Sequence, residues 1–110
     1  MANTFKNSVT GSIGTTTTTV YETPSATSTT VIGVSVANII SQNINVSVQI
    51  TDNSLSRTIY LVKDAVIPVG SQAVLVGGEQ KVVLEANDYI RVTSNQASSA
   101  DVIVSVLELS

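Results

Sequence analysis

Glu85 and Asp88 stand three residues apart, and two carboxylates are the minimum that paired acid and base chemistry requires. A turn is expected between them, which sends the side chains in different directions, so a solvated turn is the plainer reading. Asp52-Asn53-Ser54 has the look of the start of a calcium loop. It lacks the central glycine and the closing glutamate of an EF-hand, and turn chemistry explains the same residues. A structural cation at that loop tip stays open. Lys63-Asp64 and the Glu79 to Lys81 stretch set opposite charges side by side, which reads as weak, solvated surface pairing.

The remaining reactive vocabulary is missing. The chain has no histidine and no cysteine, so a Ser-His-Asp arrangement cannot be written despite the many serines. No serine lies three residues ahead of a lysine, which removes the Ser-Lys hydrolase pattern. A zinc site would have to be built from carboxylates alone. Gly77-Gly78 does not open a helix and reads as a hairpin turn rather than a phosphate loop. Asn45-Val46-Ser47 fits the glycosylation pattern but sits within a strand pattern, where chance is the simpler account. Sugar-binding sandwiches use exposed aromatic platforms, whereas aromatics here are 4% of the chain, with no tryptophan. The run Thr15–Thr19 occurs once; an ice-binding face needs a repeated array. The expectation is a protein that is not an enzyme, with no catalytic, cofactor-binding or metal-ligating residue and no cofactor.

Composition says what the chain has instead. At 110 residues there is room for one domain. Hydrophobic residues are 43% of it, enough for a modest core, while charged residues are only 12%, about half the usual share. Thr, Ser, Asn and Gln take their place. Short neutral polar groups are cheaper to desolvate than charges, so this exterior suits contact with other subunits. The five basic residues are scattered singly and the net charge is −3. That weighs against nucleic acid, which is held by clustered lysine and arginine. The first residues lack the apolar core of a signal peptide, and no apolar run approaches the roughly 18 residues of a membrane helix. A soluble protein made without a secretion signal, with no membrane partner, is expected.

The elements that would carry these residues are strands. Ile44, Val46, Val48 and Ile50 alternate with Asn45, Ser47, Gln49 and Thr51, which puts four aliphatics on one face of a strand and four neutral polars on the other. Strands are also expected over Thr17–Glu22, Thr30–Asn38, Thr58–Lys63, Ala73–Val76, Lys81–Glu85, Asp88–Thr93 and Asp101–Leu109. In Thr30–Asn38, Ile32, Val34 and Val36 oppose Val31, Gly33, Ser35 and Ala37. Both faces are small or apolar, so this strand is expected to be covered on both sides. In Asp101–Leu109, Val102, Val104 and Val106 oppose Ile103 and Leu107. Turn residues, including Pro24-Ser25, Ser41-Gln42-Asn43, Asp52-Asn53-Ser54, Pro68-Val69-Gly70, Asn87-Asp88 and Asn95-Gln96, fall between these segments at the roughly 8–12 residue spacing of a sandwich. The fold class is all-β: a single antiparallel β-sandwich, immunoglobulin-like or jelly-roll-like, of about eight short strands.

The N-terminal third differs in kind. Ser8 to Thr30 is mostly Thr and Ser, and no charge occurs between Thr23 and Thr51. Residues 1–15 are expected as a Thr/Ser-rich N-terminal arm and 16–110 as the sandwich. The arm reads as loose in the isolated protein, and a neighbouring subunit is the simplest thing to hold it.

A set of segments, in order, carries a resemblance. They are Val20-Tyr21-Glu22-Thr23-Pro24, Val31 to Asn38, Tyr60-Leu61-Val62-Lys63-Asp64-Ala65, Ile67-Pro68-Val69-Gly70, Gly77-Gly78-Glu79-Gln80-Lys81-Val82-Val83-Leu84 and Asp88-Tyr89-Ile90-Arg91-Val92. From Val20 onward the chain resembles small β-sandwich virion proteins of tailed bacteriophages. Proteins of that look often carry Gly-Asp where this one has Asn87-Asp88; a left-handed turn residue explains both. The resemblance implies a virion structural protein assembled in the host bacterial cytoplasm. It favours a capsid decoration or cement protein, a homo-oligomer and by preference a trimer, whose partner is the major capsid protein or another virion protein. A tail, neck or fibre-associated adaptor is the alternative, and a carbohydrate- or receptor-binding module the second. The segments expected to make contact are Phe5–Thr19, the neutral face of Asn45–Thr51, and the loop Asp52–Arg57.

Overall fold

Alternation of aliphatic and short polar side chains becomes strand throughout the computed structural model, which describes residues 3–76 and 82–109. The strands are β1 (Asn3–Ile13), β2 (Thr18–Glu22), β3 (Ser28–Asn38), β4 (Ile44–Asp52), β5 (Arg57–Ile67), β6 (Gln72–Val76), β7 (Val82–Leu84), β8 (Tyr89–Ser94) and β9 (Ala100–Leu109). The described residues contain no helix. One sheet runs β1-β9-β3-β6, with β7 also paired to β3; the other runs β2-β8-β4-β5. Every pairing is antiparallel.

Strand order decides between the two sandwiches expected. β6 pairs with Val34–Ala37 and β7 with Thr29–Val31, so both lie along the same edge of β3, and counting that edge once gives eight positions among the described residues. An immunoglobulin sandwich keeps its first two strands in one sheet. Here β1 and β2 lie in opposite sheets, as do β3 and β4, and β8 and β9. Two sheets wound by such crossings form a jelly roll.

The inner faces meet as the alternation requires. Ile44, Val46 and Val48 of β4 and Ile90 and Val92 of β8 are fully buried against Val31, Val34 and Val36 of β3 and Val104 of β9. Ile67 closes one end and Leu84 the other. Sheets packed this way stand about 10 Å apart, one layer of interdigitated aliphatics.

Three expectations change. The segment read as an arm supplies β1, paired with β9 from Asn3↔Leu109 to Thr10↔Val102. Its alternation escapes notice because Thr4, Lys6, Ser8 and Thr10 face inward while Phe5 and Val9 face out. In β3 the faces differ from simple alternation. A register shift against β9 between Val31 and Gly33, with the extra residue in β3, puts Val31 on the inner face with Val34 and Val36 and leaves Ile32 outside. Finally, β3 is covered on one side only: Thr30, Ile32, Ser35 and Ala37 are partly exposed on the outer face. The Gly77-Gly78 turn and the Glu79 to Lys81 stretch lie outside the described residues.

Candidate functional site

The acidic residues come together across chain distance. The β4–β5 turn and the β7–β8 turn share one end of the sandwich, which brings carboxylate oxygens of Asp52, Glu85 and Asp88 within 4.8 Å of one another. The expectation that Glu85 and Asp88 diverge is therefore overturned. The reason is that Asp88 folds back: its Oδ2 accepts the Glu85 amide at 2.9 Å and its Oδ1 accepts the Asn53 amide at 2.9 Å. Asp52 Oδ1 likewise accepts the Ser54 hydroxyl at 2.9 Å and the Leu55 amide at 3.0 Å. Those bonds, the Leu55 amide foremost, hold the Asp52 carboxyl below its usual range. Buried Asp88 thus ties one loop to the other, and Asp52 shapes its own turn. Three oxygens are half or less of the six to eight that calcium takes, and two of these carboxylates already serve backbone amides. The cluster reads as a loop brace.

A second polar cluster lies inside. Tyr21 of β2 reaches across to the other sheet, where its hydroxyl meets Glu108 Oε2 at 2.6 Å and Thr29 Oγ1 at 2.9 Å. A phenol has one hydrogen, so Tyr21 donates to the carboxylate and accepts from Thr29. Lys6 of β1 closes the set, its Nζ 3.4 Å from Glu108 Oε1. Burial, then the bond to Glu108, pushes the Tyr21 hydroxyl up to about 12. Four strands are joined here, which is a structural brace between the sheets.

What remains open to a partner is the two outer faces. On the β2-β8-β4-β5 sheet the expected neutral residues Asn45, Ser47 and Gln49 line a hollow of about 290 Å³ with Tyr60, Lys63 and Thr93. Lys63 lies 5.2 Å from the Tyr60 ring centre, and the Arg91 guanidinium 4.8 Å from that of Tyr89. This face is mostly polar, with Tyr60 and Val66 its exposed apolar residues beside Gln49 and Asn45.

The outer face of the β1-β9-β3-β6 sheet is different. Phe5 is 76% exposed, Val9 70%, Val83 67%, Val74 66% and Ile103 40%. Strand register puts them in rows. Phe5, Leu107, Thr30 and Val83 form one, and Val9, Ile103, Ser35 and Val74 another. Between them runs a light row of Asn7, Ser105 and Gly33. Beyond the Val9 row, Gly11, Asp101, Ala37 and Gln72 form the floor of a hollow of about 340 Å³. Monomeric proteins seldom leave this many large apolar side chains bare on one face. Of the segments expected to make contact, Phe5–Thr19 contributes β1 to this face and Asn45–Thr51 belongs to the polar one. Asp52–Arg57 lies at the braced end. The apolar face itself was missed because it depends on which residues of four strands stand abreast.

No family model and no curated protein matches the chain. Among solved structures, a subunit of the Bacillus endospore appendages, which form a family of disulfide-linked pili, shares the fold: TM-score 0.58 and 11% identity over 98% of this chain and 88% of that one. A pentameric capsid protein from metagenomic phage sequences aligns with 94% of this chain and 58% of its own, at 25% identity and TM-score 0.40. That superposition is too loose to show a shared fold.

Proposed function

We propose that this chain is a non-enzymatic structural protein of a phage particle, a decoration or cement protein bound to the outside of the head. The observation that carries it is the bare apolar face between β1 and β6, on a chain whose charged share is 12%. A surface of that kind marks a place where another subunit sits, and it offers no reactive group to a substrate. The resemblance of Val20 onward to small virion proteins supplies the setting. The appendage subunit supports the narrower point that this fold can serve as a building block of an assembly. With no cysteine, an assembly of this chain is held by packing and hydrogen bonds instead of disulfides. Many copies, each with a modest contact across capsomer seams, would add by multivalency to brace a shell.

The test is its position and copy number in a cryo-EM map of a particle that contains it. Copies over the whole head on icosahedral positions are expected. A few copies confined to one vertex would move the protein to the neck or tail. A second reading rests on the polar hollow beside Tyr60, whose amide and hydroxyl groups suit a glycan. Glycan-array binding lost in Tyr60→Ala, together with absence from heads, would favour that reading.

A further inference from the structure

We propose that the outer face of the β1-β9-β3-β6 sheet docks on the same face of a second copy of this chain, related by a two-fold axis that runs across the strands. The first argument is the row pattern. Along β1 the outward residues read Phe5, Asn7, Val9, Gly11, and along β9 beside them Leu107, Ser105, Ile103, Asp101. Bulky and light rows alternate at about 6.8 Å, two residues of strand. A two-fold axis across the strands reverses row order in the partner. The Phe5 row then faces the partner's Gly11 and its hollow of about 340 Å³, and the Val9 row faces the partner's Asn7. Ridges meet troughs along β1 and β9, while on β3 the bulge residue Ile32 stands beside the light row, next to Asn7 and Ser105; each contact occurs twice, as an isologous interface requires.

The second argument is size and charge. β1 and β3 have eleven residues each, β9 ten, and β6 and β7 five and three; at about 3.3 Å per residue and about 4.8 Å between strands they give a face of roughly 600 Å². A standard interface takes about 800 Å² from each partner. Among the described outward residues of this face the one charge is Asp101, whose Oδ1 already accepts the Ser12 amide at 3.0 Å. Row reversal sets it opposite the partner's Leu107, so the two copies of Asp101 do not meet.

The third argument separates face from edge. Lys6, on the free edge strand β1, points inward to Glu108, and an inward charge discourages edge-to-edge pairing. The β5 edge of the other sheet is broken by register shifts near Val48. A three-fold ring, which the resemblance implies, would set this face against a different patch and leave the row alternation without a use.

The pairing stands whether or not the assembly is a phage head. Light scattering on the full chain at about 100 μM, well above the micromolar or tighter Kd that such areas reach, should give twice the chain mass. Val9→Lys and Phe5→Lys, both at exposed positions, should each raise Kd at least tenfold with unchanged far-ultraviolet circular dichroism. Because the chain has no cysteine, register is read directly. Mixed Asn7→Cys and Val9→Cys chains should oxidise to the heterodimer in preference to either homodimer. A single-chain mass, a trimer, or a dimer indifferent to both lysine variants overturns the proposal. So does a monomer whose binding to heads is lost in Val9→Lys, since the face then belongs to the shell; that result leaves the virion role intact. A dimer absent from every particle would do the reverse.

Discussion

Tyr21 shows what a single residue contributes and how little of that is visible in its neighbours in sequence. Val20-Tyr21 reads as strand, and it is one. Nothing local says that the hydroxyl meets Glu108, 87 residues away, because such a contact is set by the stacking of the two sheets. Its energetics are testable. The folded hydroxyl is pushed up to about 12, above the ordinary 10.0. Its stabilisation is therefore complete below pH 10 and is lost as pH rises through 12. Two pH units are equivalent to about 2–3 kcal/mol. Urea midpoints should fall steeply from pH 10 to 12 in the native chain. Tyr21→Phe removes the donor that a buried carboxylate needs, about 1–3 kcal/mol at neutral pH, and should flatten that alkaline fall. An equally steep fall in Tyr21→Phe would assign it to other groups. Asn87 is the opposite case, legible from its type alone: it was expected as a left-handed turn residue, and its φ is 69°. The acid cluster falls between. Asp52 and the Glu85/Asp88 pair each stood out, but no spacing rule joins a β4–β5 turn to a β7–β8 turn.

Strands whose pattern is strict were legible, and those whose pattern serves a surface were not. β4 and β9 bury alternate aliphatics and match expectation almost residue for residue. β1 was missed because two of its three apolar residues, Phe5 and Val9, face solvent and only Ile13 at its end is buried, the reverse of the rule that aliphatics point inward. β3 was half right: its second face is small and apolar as read, but the cover expected there is not supplied by this chain. A bulge also moves Val31 to the inner face, since one extra residue inverts the alternation beyond it. This division predicts a contrast between two valines. Val104 of β9 is fully buried and Val9 of the neighbouring strand is exposed. Val104→Ala removes two methylenes and leaves a cavity, about 2–3 kcal/mol. Val9→Ala should cost under about 0.5 kcal/mol in dilute, monomeric protein. Equal losses in denaturant titrations would mean that Val9 is packed within the monomer, and would remove the reason to seek its cover elsewhere.

At the scale of the molecule, the jelly roll gives two large outer faces, and the sequence makes them unlike. One is mostly polar, lined by Asn45, Ser47, Gln49 and Thr93 with Tyr60 and Val66 beside them; the other carries Phe5, Val9, Val74, Val83 and Ile103. Sandwich class was legible from alternation and turn spacing, whereas strand order, and with it the composition of each face, was not. Pairing β1 with β9 joins the two ends of the chain, and no local pattern encodes that. The asymmetry predicts how assembly responds to salt. Charge-led interfaces weaken steeply as ionic strength shortens the Debye length from about 10 Å at 0.1 M to about 3 Å at 1 M. A contact made by aliphatic rows with one charge near its end has little to screen, and excluded salts such as sulfate strengthen apolar burial. Association of copies, or of the chain with its particle, should therefore change less than about threefold in Kd between 0.05 and 0.5 M sodium chloride, and should tighten in sodium sulfate at equal ionic strength. Weakening of tenfold or more over the chloride range would show that the polar face with Lys63 and Arg91 makes the contact, and the apolar face would lose its claim to be the interface.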